Sequence, residues 1–175
     1  MITPRSKSST DDTPLFEPKA FGLTSDQAEL CALARRLGRE RFAPRAARFD
    51  RDAVFPTENY RDLHEAGLLA ISIPKALGGR GADYATYSLV AAEIGRYCGA
   101  TALTWNMHVC STLWSGPLAD DLPMSLEDRR DHERRRQLHY ARIVDRGAIY
   151  AQPFSEGGAA AAGAAAFAKI GRAHV

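Results

Sequence analysis

The chain has 175 residues and a mass of 19.1 kDa, 45% of it hydrophobic and 25% charged, with a formal net charge of +2. That length is one domain, or one domain and a piece of another, and it suffices to bury roughly 70% of the extended-chain surface. The near-balance of charge argues against a dedicated polyanion binder, and no run of about 18 apolar residues predicts a membrane-spanning helix.

Residues 1–20 read as a flexible leader. They carry six charges, six Ser or Thr and three prolines, with no apolar stretch of the kind a secretory signal needs. The three cysteines, Cys31, Cys98 and Cys110, are odd in number and widely spaced, which favours reduced thiols in a cytoplasmic protein.

Ordered structure is expected from residue 21. Thr24 and Gln27 form a capping box, and Leu30, Leu33, Ala34 and Leu37 follow at helical spacing. Pro44 either kinks this helix or opens a new turn. A second helix fits Pro56 to Ala66, with Gly67 as its left-handed terminus. Leu68 to Pro74 reads as a short, apolar, extended run, and Gly78-Gly79-Arg80-Gly81 as a loop. Asp83 caps a third helix that ends near Gly99. A fourth, about Thr101 to Trp114, is apolar nearly all round and is expected to be central and buried. Residues 125–146, with seven arginines and five acids, predict a surface helix ended by Gly147. Ala148 to Ala151 looks like the start of a strand.

Residues 157–168 hold eight alanines, three glycines and Phe167, and nothing there makes a core. The last seven residues, 169–175, match one reading frame of a common short-read sequencing adaptor and are expected to be a processing scar.

Local chemistry is sparse. The five histidines have no metal-ligand spacing, so no metal site is expected. There is no nucleophile elbow, and the glycine-rich loop lacks the phosphate-cradle pattern. The arginines of 129–146 are interleaved with acids, which favours a solvated face over nucleic-acid binding. His108, on the apolar fourth helix, reads as a buried, hydrogen-bonded histidine ahead of a pocket-lining one.

An ordered set of segments carries more. Leu23-Thr24-Ser25-Asp26-Gln27 is followed by Ala43-Pro44-Arg45-Ala46, Asp50 and Phe55-Pro56, then by Glu65-Ala66-Gly67-Leu68, Ile71-Ser72-Ile73-Pro74, Leu77-Gly78-Gly79-Arg80-Gly81 and Glu93-Ile94-Gly95-Arg96. In that order, over about residues 21–158, the chain resembles the N-terminal helical domain of the acyl-CoA dehydrogenase family. The resemblance implies a mainly α fold: a helical domain over 21–147, followed over 148–168 by the first strand of a truncated middle β domain. It implies a homotetrameric FAD enzyme that desaturates an acyl-CoA thioester at the α and β carbons and passes electrons to an electron-transferring flavoprotein. Cofactor contacts are implied at Gln152, Phe154 and Ser155, and substrate-pocket positions at Trp105, Met107 and His108, with core packing as the alternative for Trp105 and Met107. The catalytic base is expected outside this chain, so the fragment alone is expected to be inactive. Gly157 and Ala159 to Ala162 depart from the family's Pro and Gly-Ser-Asp after the acid at Glu156. That departure keeps open a flavin-dependent monooxygenase or oxidase on the same fold. A non-enzymatic helical interaction module is the other alternative.

Overall fold

The computed structural model describes residues 13–151. Among the described residues, seven α-helices follow one another in chain order. Helix α1, Ser25–Leu37, begins at the expected capping box: the Gln27 backbone N–H donates to the Thr24 hydroxyl at 3.4 Å, and the Gln27 side chain accepts from the Thr24 backbone at 2.9 Å. The rod does not end at Leu37. It passes through a wide π-helical turn, Gly38–Phe42, into α2, Ala43–Asp52. Pro44 has no N–H and its ring crowds the preceding turn, so a widened turn just before it is the local answer. The Ala43 N–H accordingly reaches back five residues to the Gly38 carbonyl.

Helix α3, Thr57–Glu65, leads into a buried connection, and α4, Tyr84–Tyr97, starts on Asp83, whose carboxylate accepts from the Thr86 N–H at 2.8 Å. Helix α5 is Gly99–Ser115, α6 is the short turn Pro117–Asp120, and α7 is Leu126–Arg146. Helix α4 lies between α1 and α5. Helix α7 closes the far side of α5 through Tyr140 and Ile143, both buried, with the Tyr140 hydroxyl donating to the Thr112 carbonyl at 3.0 Å.

The connection from Leu68 to Ile73 is buried throughout, but it is not the extended run the apolar pattern predicted. A strand needs a regular ladder with its neighbour, and none forms among the described residues. The segment instead turns on itself, and the carbonyls of Leu68 to Ile71 and of Ile73 are satisfied one by one, as a buried backbone requires. Leu68 accepts from the Trp105 indole at 3.0 Å and Leu69 from His108 at 3.0 Å. Ala70 accepts from Arg80 N, Ile71 from Ala82 N and Ile73 from Gly81 N, at 3.1, 2.9 and 2.8 Å. The glycine loop is the returning half of this motif. Gly79 passes so close that a Cβ there would lie 2.0 Å from the Ile73 carbonyl oxygen.

Two buried polar clusters tie helices together. Asn59 accepts from Arg45 at 3.0 Å and donates to the Thr101 hydroxyl at 2.8 Å, joining α2, α3 and α5. Glu93, 2% exposed, accepts from Arg35, Arg96 and the Leu15 backbone N–H, at 3.3, 3.3 and 3.0 Å. Those bonds hold α1, α4 and the segment before α1 on one carboxylate.

Helix α5 corrects a second expectation. Its Trp105, His108, Val109 and Thr112 are buried, but Leu103, Met107 and Trp114 form an exposed stripe 38–67% accessible. Helix α7 ends where expected, on Gly147 at φ 63°, with the Gly147 and Ala148 N–H groups returning to the Ile143 and Arg142 carbonyls. The following residues, Ala148 to Ala151, carry no regular secondary structure, and no described segment is placed to pair with them as a strand.

Candidate functional site

The exit of the chain crosses the exposed flank of α5, and an apolar groove forms there. Thr104 and Met107, three residues apart and so on one helical face, make its floor. Phe55, just before α3, and Tyr60, in its first turn, make one wall, and Ile149, Tyr150 and Ala151 make the other. Its volume is about 220 Å³. Phe55 and Tyr60 stack with ring centroids 4.9 Å apart. Burial pushes the Tyr60 phenol up to about 12, only partly opposed by the Thr104 hydroxyl beside it. The phenol therefore stays protonated at neutral pH and acts as a neutral hydroxyl.

Behind the Tyr150 wall lies His108, with no exposed surface. Its Nε2 is 3.0 Å from the Leu69 carbonyl oxygen, and its Nδ1 is 3.1 Å from the Tyr150 backbone nitrogen. A carbonyl only accepts and a backbone N–H only donates. Nε2 therefore carries the proton and Nδ1 presents its lone pair. A charged imidazole would have no acceptor to offer Tyr150. Burial agrees: it lowers the His108 pKa to about 4, opposed by the bond to Leu69 and assisted by nearby His139. His139, on α7, meets the Tyr150 ring edge-on at 4.2 Å. The Ser111 hydroxyl donates to the His108 carbonyl at 2.7 Å and so receives the His139 Nε2 proton at 3.2 Å. Burial lowers the His139 pKa as well.

The three positions expected near a substrate part company here. Met107 lies on the groove. Trp105 is fully buried, with its ring 5.6 Å from Tyr87 and its N–H spent on Leu68. His108 faces the Leu69 turn and the chain exit, not the groove. Gln152, Phe154 and Ser155, the expected flavin contacts, lie outside the described residues, one to four positions beyond the groove's Ala151. Sequence reading did not single out Tyr60, Thr104 or Ile149 for this site. Only the Thr104–Met107 spacing was visible there, and the walls come from distant parts of the chain. Among the described residues no group of three or more His, Cys, Asp or Glu is placed to hold a metal.

The arginines of α7 are largely engaged locally. Arg134 and Arg135 pair with Asp131, and Arg136 with Glu133 and Asp120. Arg129 donates to the carbonyls of Ala119, Asp120 and Leu122 at the end of α6. No helix among the described residues is long and apolar enough to cross a membrane.

The fold and the groove define an all-helical module whose last described residues run along the flank of α5. Residues 24–118, more than half of the chain, match the family model "Acyl-CoA dehydrogenase, N-terminal domain". The chain belongs to the acyl-CoA dehydrogenase family. It is 41% identical over 75 residues to the mitochondrial short-chain specific acyl-CoA dehydrogenase of Mus musculus, covering 43% of this chain and 18% of that protein. It is 37% identical over 89 residues to the acryloyl-CoA reductase (NADH) of Anaerotignum propionicum, covering 51% and 23%. It is 37% identical over 78 residues to the 3-sulfinopropanoyl-CoA desulfinase of Variovorax paradoxus, covering 45% and 20%. The aligned part is thus about a fifth of these relatives. The fold also matches a chain from a structure described as the electron transferring flavoprotein of Acidaminococcus fermentans, with a TM-score of 0.59 and 23% identity, over 74% of this chain and 31% of that one.

Proposed function

We propose that this chain is the N-terminal helical domain of an FAD-dependent, acyl-CoA dehydrogenase-like oxidoreductase that desaturates an acyl-CoA thioester between its α and β carbons. The observation that carries this reading is the family match over residues 24–118. The three relatives described above support the substrate class, since the printed name of each specifies a CoA-linked acyl group. FAD, when bound, supplies the acceptor for the hydride that leaves the β-carbon. The helical domain contributes apolar surface. Met107, with Thr104 and Tyr60 beside it, offers a water-poor wall for an acyl chain or for the segment that follows Ala151. Trp105 and His108 act from within the core, by shaping α5 and the Leu68–Leu69 turn against which that wall is built.

In this reading Gln152, Phe154 and Ser155 hold the flavin, the base comes from a domain beyond this chain, and the whole protein is a cytoplasmic homotetramer that reduces an electron-transferring flavoprotein. The domain division follows: a leader over 1–20, the helical domain over 21–147, and the start of a β domain over 148–168. Residues 169–175 are foreign to it.

The test uses the product of the complete gene, purified with FAD under anaerobic conditions. Bleaching of the flavin on addition of acyl-CoA, with release of the enoyl-CoA, supports the proposal. The 175-residue chain alone should show no tight, stoichiometric FAD binding. A second reading, an oxidase or monooxygenase on the same fold, is favoured by Gly157 and the alanines after Glu156. Substrate-dependent oxygen consumption without any partner flavoprotein would replace the first reading with the second.

A further inference from the structure

The backbone leaves α7 through Gly147 and Ala148, whose N–H groups close the helix end. The next backbone N–H with a described partner is that of Tyr150, and the partner is His108 Nδ1. No sheet among the described residues holds this stretch; its polar anchors are the helix cap and the His108 bond, and the Tyr150 ring packs on the core beside His139.

We propose that His108 is a positioning residue: by accepting the Tyr150 N–H it fixes where, and in which register, the chain leaves the helical domain. The imidazole suits this task because it is itself immobilised. Nε2 is anchored on the Leu69 carbonyl, and Ser111 and His139 bracket the same turn of α5. The ring therefore relates three separate parts of the chain: the buried turn at 68–73, α5 and the exit. Only a neutral side chain that donates from one edge and accepts at the other satisfies both backbone groups, and no aliphatic residue of equal volume can replace it.

The consequence for the cofactor rests on the proposed function. The expected flavin contacts start two residues beyond Tyr150 and end at the fifth, Ser155. In an extended chain a slip of one residue exchanges the two faces for every side chain that follows. A fixed Tyr150 N–H removes that freedom at its origin.

Two substitutions of similar size separate positioning from packing. In His108→Asn the amide oxygen takes the place of Nδ1 and can still accept from Tyr150. In His108→Gln the amide nitrogen takes the place of Nε2, so the bond to Leu69 survives and the acceptor for Tyr150 is lost. The readout is solvent exchange of the Tyr150 amide in the isotopically labelled 175-residue chain, with the α4 and α5 amides as the control for folding. Protection in the wild type, its retention in His108→Asn and exchange about tenfold faster in His108→Gln, the scale of one lost buried hydrogen bond, are expected. Equal exchange in the two variants, or an unprotected Tyr150 in the wild type, overturns the proposal.

Should His108→Gln fail to fold, Tyr150→Pro removes the donor and leaves the imidazole. The His108 Nδ1 nitrogen resonance must then move to the value of an unbonded imidazole nitrogen, and an unchanged resonance overturns the proposal. FAD affinity of the same variants in the complete protein tests the rest separately. Weaker binding in His108→Gln than in His108→Asn supports both the latch and the flavin reading. The Tyr150 exchange pattern without any flavin effect supports the latch and refutes the flavin placement.

Discussion

Acid should loosen this domain well before its carboxylates are titrated, and His108 is the reason. In an unfolded chain its imidazole protonates near a pH of about 6.5. In the fold, burial holds its pKa down to about 4, with the bond to the Leu69 carbonyl opposing the shift and nearby His139 assisting it. Between those values the unfolded state binds a proton that the folded state refuses. The His108 contribution is therefore complete above pH ~6.5 and is lost progressively as the pH falls through about 4. At ~1.4 kcal/mol per pH unit, the loss is about 2 kcal/mol at pH ~5 and about 3 kcal/mol over the whole window. His139, whose pKa burial also lowers, adds in the same direction, with Arg142 the nearby charge that opposes its protonation. The assay is urea unfolding of the wild type and His108→Asn at matched pH values from 7.5 to 4.5. The variant lacks this titration and keeps the others, so the difference between the two curves isolates His108. Parallel stability curves between pH 6.5 and 4.5 would refute the reasoning.

Three further outcomes are expected. Glu93→Gln leaves Arg35 and Arg96 without their shared buried carboxylate, and a loss of about 3 kcal/mol should appear as a clearly lowered melting temperature; a melt indistinguishable from wild type would show that the cluster is not holding α1 to α4. Gly79→Ala drives a methyl into the Ile73 carbonyl, where backbone has to move, and should cost roughly 1–3 kcal/mol in denaturant titration; a neutral result would mean that the turn is looser than its contacts imply. Trp105→Phe strands the buried Leu68 carbonyl at a cost of about 1–3 kcal/mol, whereas Met107→Ala, on the open groove, should stay within about 0.5 kcal/mol; the reverse order would exchange their assignments to core and groove.

What was legible in the sequence was what neighbours decide. Thr24 with Gln27, Asp83 with Thr86, and Gly147 act within four residues, and the structure shows each of them in its expected role. The family assignment was legible for a related reason, since short motifs in fixed order survive where single residues do not. Partners far along the chain were invisible. Leu68 to Ile73 is apolar enough for a strand, but its carbonyls find Trp105 and His108, 37 and 39 positions away. An apolar pattern reports burial, not the shape of the buried backbone. Helix α5 shows the opposite limit. Apolar on all sides, it reveals nothing about which side is covered, and Leu103, Met107 and Trp114 proved to be on the open one. The groove has walls from Phe55 and from Tyr150, which no spacing rule connects.

The wide turn at Gly38–Phe42 gives the rod from Ser25 to Asp52 one place where it can lose a residue. Its extra residue is taken up by the wider loop, so the two halves of one continuous helix keep their phase. Loss of a single codon in this stretch would let the five-residue bond from Ala43 to Gly38 close into an ordinary helical one, with α2 keeping nearly its present orientation against α1. Phe49 would stay in the core, and Arg45 would still reach Asn59 and Asp62. Single-residue deletions should therefore be better tolerated in these five positions than within the regular turns of α1 or α2, where one would turn everything that follows by about 100°.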